Sequence, residues 1–206
     1  MTTQSAAEYW ENRYRESGRS WSGNVNAALE REVAAIDPGT ALDLGSGEGG
    51  DALWLARRGW SVTAVDIAPS ALAVGQAQQQ PDDDITWIAA DLAEWQPPTQ
   101  YDLVSACFLH SFVELPREQI LRRAAAAVAP GGLLVIVGHS GAPHWHDPSA
   151  HGELVELPTP DEVLASLSLD DGWTEVTKAL VARLITAPDG TVGTIADGVL
   201  TLRRNP

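Results

Sequence analysis

Between Ala41 and Asp66 the chain reads ALDLGSGEGGDALWLARRGWSVTAVD, and few folds can hold such a stretch. A short apolar run, Ala41 to Leu44, carries one acid near its end, Asp43. Gly45, Gly47, Gly49 and Gly50 follow as a glycine-rich turn. Glycine is wanted where a strand turns sharply into a helix, because it accepts positive φ and lets a ligand lie against bare backbone. Ala52, Leu55 and Ala56 then fall at i, i+3 and i+4, which predicts a helix with one apolar face. Arg57, Arg58 and Gly59 close it, with cations on the negative dipole end and a glycine able to take a left-handed cap. Ser61 to Val65 is a second apolar strand, ended by Asp66. The unit is βαβ, and its turn and second strand tip converge on one ligand.

Charge narrows the choice of ligand. Gly45, Gly47 and Gly50 satisfy G-x-G-x-x-G, and Asp66 lies 21 residues after Gly45, as in a dinucleotide fingerprint. Asp43 and Glu48, however, stand where a pyrophosphate would dock on the helix N-terminus. A charge pair ~4 Å apart at an effective dielectric of ~20 is worth roughly 4 kcal/mol, here repulsive. A ligand with a cationic end suits the turn better. S-adenosylmethionine carries an ammonium, a sulfonium, a ribose diol and an adenine, and no phosphate.

The run Asp43-Leu44-Gly45-Ser46-Gly47-Glu48-Gly49 resembles the first motif, acid-x-G-x-G-x-G, of the seven-stranded S-adenosylmethionine-dependent methyltransferases. The alternative is a glycine-rich turn in an unrelated α/β protein. The resemblance implies a doubly wound α/β fold: a mostly parallel seven-stranded sheet ending in an antiparallel hairpin, with helices on both faces. It implies cofactor contacts from Asp43, Gly45, Ser46, Gly47 and Glu48 in the first turn. It adds Asp66 on the ribose hydroxyls with Ile67 beside it, Asp91 and Leu92 on the adenine, and Cys107 at the fourth strand. S-adenosylhomocysteine would be the product. Among such families the chain looks most like the compact tellurite-resistance-type and related detoxifying methyltransferases, which act on small molecules.

The order of the remaining elements agrees with that fold. Ala6 to Glu16 has helical composition, and Tyr9, Trp10, Tyr14 and Trp21 crowd this end of the chain. Such aromatics either pack a helix on the domain or close over a ligand. Small methyltransferases open with a similar W-x-x-R-Y…W segment, so Trp10, Tyr14 and Trp21 join the expected cofactor set. Ala27 to Ile36 reads as a second helix. The chain is thus expected to form one domain over 1–206, with 1–36 as a helical cover on a core over 40–206.

Pro69 starts a helix to about Gln79, Ile85 to Ala90 is a third strand ending at Asp91, and Tyr101 to Phe108 is a fourth. Asp43, Asp66 and Asp91 therefore stand at the carboxyl ends of three strands, where parallel sheets bind ligands. An alanine-rich helix lies between Pro116 and Pro130, and Leu133 to Val137 is a fifth strand. Gly138 to Pro158 reads as a long loop, of a length that belongs to binding sites. Thr159-Pro160-Asp161-Glu162 is a capping box opening a helix to about Leu169. Trp173 to Leu184 and Thr191 to Arg203 are both β-rich, and the short Ala187-Pro188-Asp189-Gly190 link can make only a hairpin. A dinucleotide fold would want another crossover helix there.

His139, His144, His146 and His151 share one stretch with Asp147, but H-x4-H-x-H-x4-H matches no motif with built-in metal geometry, so no metal is expected. His110 and His139 each follow a strand at the ligand edge and are candidate proton acceptors. Methyl transfer to a soft nucleophile can also proceed by alignment alone.

A formal charge of −15 argues against nucleic acid or an anionic membrane as partner. The single cysteine, Cys107, excludes an internal disulfide, and the first residues show no apolar leader, so a cytoplasmic setting is expected. A silent S-adenosylmethionine-binding protein and a nicotinamide-dependent oxidoreductase remain the alternatives to a methyltransferase.

Overall fold

A computed structural model describes residues 5–17, 22–111, 113–140, 157–186 and 190–206. Trp21, His144, His146, Asp147 and His151 lie outside the described residues. In chain order the elements are α1 (Ala6–Ser17), α2 (Ala27–Val33), β1 (Thr40–Leu44), α3 (Gly50–Arg57), β2 (Ser61–Asp66), α4 (Pro69–Gln76) and β3 (Ile85–Ala89). There follow β4 (Tyr101–Cys107), α5 (Arg117–Ala126), β5 (Val128–Ser140), α6 (Pro160–Leu167), β6 (Trp173–Thr186) and β7 (Val192–Arg204).

The seven strands form one sheet in the order β3-β2-β1-β4-β5-β7-β6. Strands β1 to β5 run parallel to one another, and β7 runs antiparallel between β5 and β6. The order reverses at β1, with β2 on one side and β4 on the other, so the carboxyl ends of β1 and β4 flank the crevice where α/β sheets bind ligands. Strand alternation feeds two cores. Leu42, Val104, Leu134 and Ile136 pack with Ile120 and Leu121 of α5 and Val163 and Leu167 of α6. Ala41, Leu103, Leu133 and Val135 pack with Leu29 and Val33 of α2 and Leu55 of α3. Neighbours in sequence thus go to opposite faces, as the two-residue period of a strand requires.

Local signals hold where they are chemically specific. Asn26 caps α2 by accepting from the amides of Ala28 and Leu29. Thr159 and Glu162 form the expected box at α6, worth about 1 kcal/mol for a side-chain cap of this kind.

Four boundaries differ from expectation in ways that matter here. Helix α2 stops at Val33 and α4 at Gln76, short of Ile36 and Gln79. Strand β4 ends at Cys107 because Phe108 takes φ 53°, which breaks the extended run. Strand β5 continues past Val137, because β7 keeps it paired: Gly138 opposes Gly198, His139 opposes Asp197 and Ser140 opposes Ala196. The residue expected to open a loop, Gly138, is therefore sheet. This extension carries His139 out to the ligand edge.

Candidate active site

A cavity of about 750 Å³ opens at the carboxyl ends of the central strands, beneath α1. That is within the usual range for small-ligand sites. Every described residue of the expected cofactor set lines it, from Trp10 and Tyr14 through the first turn to Asp66, Ile67, Asp91, Leu92 and Cys107. His110 and His139 line it too.

The floor is the first turn. Gly45, Gly47 and Gly49 hold φ of 71°, 52° and 78°, conformations that side chains resist. The amides of Gly45 and Ser46 donate to Val65 O at 2.9 and 3.0 Å, tying the turn to β2. Asp66 finishes the clamp: Oδ2 accepts from Gly47 N at 2.8 Å and Oδ1 from Ala68 N at 2.9 Å. Asp66 is thus a brace for the loop as well as a cavity wall. Each carboxylate oxygen has a second lone pair, so the brace does not use up its capacity to meet a diol.

Three carboxyls crowd this floor. Asp43 accepts from Ser105 Oγ at 2.9 Å through Oδ1. Asp51 accepts from Asn26 N at 2.6 Å and from the Cys107 thiol. Burial, then the charge of Asp51, push Asp43 up to about 8, with Asp66 adding to the same effect. Burial likewise raises Asp51 and Asp66. Burial, then Asp51 and Asp43, hold the Cys107 thiol well above its ordinary value, which keeps it protonated and poorly nucleophilic. Asp43 Oδ2 and Ser46 Oγ are buried without a hydrogen-bond partner. A buried carboxyl oxygen without a partner costs free energy that a ligand with a cationic group would recover.

The other end of the cavity has a different chemistry. Phe108 leaves β4 at φ 53° and lays its ring on that of His139, centroids 4.4 Å apart. The His139 backbone amide donates to His110 Nε2 at 3.2 Å, and the two imidazoles stack at 5.8 Å. Gly138 makes room for this, since a Cβ there would stand 2.9 Å from His110 Nε2. Burial, then the charge of Arg117, push His110 down to about 4, so it is neutral at physiological pH. His139 Nδ1 lies 3.0 Å from Asp197 Oδ1, and Arg183 Nε donates to Asp197 Oδ2 at 2.5 Å. Burial alone would raise Asp197, but the hydrogen bonds from His139 and Arg183 outweigh it and hold the carboxyl low.

The roof is α1. Trp10 Nε1 donates to Ser111 Oγ at 3.2 Å, and the Ser70 amide donates to Glu11 Oε2 at 3.0 Å. Tyr14 is buried with Ala68 and Ala71 of the β2–α4 corner. The helix is therefore docked on the core and over the cavity at once.

Several site residues were not legible in the sequence. Asp51 reads as an ordinary acid in a helix's first turn, and Arg183 as a polar face of a strand. Asp197 had a signal: it is a lone acid within the apolar run of β7. Among the described residues no three metal-ligating side chains come together, and no helix is long and apolar enough to cross a membrane.

Residues 41–132 match the family described as a methyltransferase domain. The 2-heptyl-1-hydroxyquinolin-4(1H)-one methyltransferase of Mycobacteroides abscessus is 32% identical over 106 residues, 48% of this chain and 45% of that protein. Hemagglutinin 1 of Eikenella corrodens is 33% identical over 118 residues, 55% of this chain and 38% of that protein. The matches thus span less than half the length of either curated relative. Among solved structures, TehB from Haemophilus influenzae superposes with a TM-score of 0.70 at 17% identity, covering 95% of this chain and 67% of that one. That likeness is one of fold.

Proposed function

We propose that this chain is a methyltransferase of the class I, seven-stranded S-adenosylmethionine-dependent type, which moves a methyl group from S-adenosylmethionine to a small-molecule acceptor. The observation that carries the reading is Asp43 Oδ2, a buried carboxyl oxygen without a hydrogen-bond partner, beside a glycine turn shaped for close backbone approach. Asp43, Asp51 and Asp66 favour a cation and oppose a pyrophosphate, which argues against the nicotinamide alternative. The antiparallel β7 argues the same way.

The cofactor, when bound, supplies an electrophilic methyl on a sulfonium, transferred by in-line displacement with S-adenosylhomocysteine as product. The protein's part is to hold and to shield. Gly45, Ser46 and Gly47 offer bare backbone, Asp66 and Ile67 the ribose wall, and Asp91 and Leu92 the adenine wall. Trp10 and Tyr14 exclude water from above, and alignment of the reactants in a dry site lowers the barrier to transfer. Helix α1 acts as the cover, whereas α2, expected to belong to it, buries Leu29 and Val33 in the core of the sheet. The acidity of the chain, its lone cysteine and its concave cavity support a cytoplasmic enzyme for small molecules, without nucleic-acid or membrane partners.

The M. abscessus relative is named for a hydroxyquinolone acceptor, which makes that compound a reasonable first acceptor to assay here. Calorimetric titration tests the cofactor directly. S-adenosylhomocysteine should bind with one site per chain and reduced nicotinamide dinucleotide should not. The reverse result would make the protein an oxidoreductase, and cofactor binding without turnover on any acceptor would make it a silent binder.

A further inference from the structure

We infer that His139 is a general base, oriented by Asp197, and that the acceptor is an aromatic hydroxyl whose proton His139 removes. This deepens the methyltransferase reading and rests on it. The assignment follows from which ring nitrogens are already engaged. His110 Nε2 accepts the His139 backbone amide, so the neutral ring carries its proton on Nδ1 and has no basic nitrogen to offer. His139 is engaged the other way round. Its Nδ1 faces Asp197 Oδ1 at 3.0 Å, and a carboxylate only accepts, so Nδ1 carries the proton. Arg183 Nη2 approaches the same nitrogen at 3.5 Å, a longer contact that the carboxylate outcompetes. The nitrogen left to the cavity is Nε2, with its lone pair. A carboxylate behind an imidazole also stabilises the imidazolium that forms on proton transfer.

The surroundings select the acceptor. Phe108, Leu115, Val181 and Val199 give this end of the cavity apolar walls, suited to a flat ring. Its charged groups are Asp197 on β7, Arg183 on β6 and Glu114 between β4 and α5, with neutral His110 after β4 and the Arg117 guanidinium of α5 behind His110. Arg183 adds positive charge beside a developing phenolate. Imidazole is matched to an acidic aromatic hydroxyl and poorly matched to an aliphatic alcohol. In the balanced step the hydroxyl proton passes to His139 Nε2, the oxygen forms a bond to the methyl carbon, and the carbon–sulfur pair returns to sulfur. The proton then leaves His139 to water.

The test uses the whole chain saturated with S-adenosylhomocysteine, so that no turnover occurs, and 4-nitrophenol as probe. At about one pH unit below the free phenol's ionisation point, the wild type should show the bound phenolate's visible band. His139→Gln should lose most of that band while still binding S-adenosylhomocysteine. Asp197→Asn should keep it, with its midpoint moved to higher pH by about one unit, a shift that a merely structural role would not produce. In turnover, His139→Gln should cut nitrophenol methylation by about 10²-fold or more. Thiophenol, which ionises unaided, should be affected only a few-fold. A wild type that fails to bind S-adenosylhomocysteine overturns the cofactor reading, and this one with it. Intact cofactor binding with an unchanged phenolate band in His139→Gln overturns this inference alone.

Discussion

The two ends of the cavity are built on opposite principles. At the β1–β2 end the walls are backbone and carboxyl: positive-φ glycines, Asp43, Asp51 and Asp66, with two buried polar atoms left unpartnered. At the β5–β7–β6 end they are rings and cations, with Asp197 paired to both His139 and Arg183. One end is incomplete, the other satisfied within itself. An end with unmet buried groups is poised for one ligand of fixed chemistry. An end whose polar groups already answer one another can admit different acceptors while keeping its proton acceptor in place.

The largest test of this division is Gly45→Val. At φ 71° a β-branched side chain is forced into a conformation it scarcely adopts, and its Cβ would meet Leu109 Cδ1 at 2.8 Å. Gly47→Val, at φ 52°, is strained in the same way. Either should weaken S-adenosylhomocysteine by about 100-fold or more, since a left-handed residue costs ~1–2 kcal/mol before any clash with ligand. Circular dichroism should show a folded protein. Undiminished calorimetric affinity in a folded variant would place the cofactor elsewhere and dissolve the contrast between the ends.

The difference between the ends also explains what the sequence could show. The cofactor end is local: Asp43 to Asp66 is one continuous stretch, and glycine, acid and strand period each leave a mark on it. Its fold consequences were equally readable, down to the terminal hairpin forced by a link too short for a crossover. The acceptor end is assembled from His110, His139, Arg183 and Asp197, on four separate elements. Nothing in the order of residues places Asp197 opposite His139. That contact depends on β5 running on to Ser140 and on the β5–β7 register, which is set by pairing across the sheet. The glycine at 138 reads locally as a loop signal, and strand pairing overrides it.

A middle-sized effect separates the ends by pH. Asp43 sits at about 8 in the ligand-free protein, whereas in the unfolded chain it is an ordinary carboxyl. The native state therefore holds a proton that the unfolded state has released. Asp43's contribution to stability falls as pH rises from the ordinary carboxyl range through about 8. A cationic ligand reverses the preference by favouring the ionised form, so binding expels the proton. Affinity for S-adenosylhomocysteine should rise about tenfold from pH 6 to 7 and level off above 8, with proton release seen as a buffer-dependent heat. Asp43→Asn should flatten that slope. A slope that survives in Asp43→Asn would move the titrating group to Asp51 or Asp66.

The smallest effect concerns the roof, which spans both ends. Trp10 reaches Ser111 at the acceptor end, and Glu11 reaches the Ser70 amide and hydroxyl beside the β2 tip. If α1 only packs, cutting one tether should loosen it equally with and without ligand. If it closes over the cofactor, ligand should compensate for the lost tether, because the ligand then packs against α1. Glu11→Ala removes a charge-assisted bond to Ser70, worth ~1.5 kcal/mol, and should speed hydrogen exchange across Ala6 to Arg15 by about tenfold. Adding S-adenosylhomocysteine should restore most of that protection, and affinity should fall only a few-fold. Exchange that stays fast in the saturated variant would show that the cofactor makes no energetic use of the roof. The aromatics of α1 would then be core packing, and the shielding would belong to the walls alone.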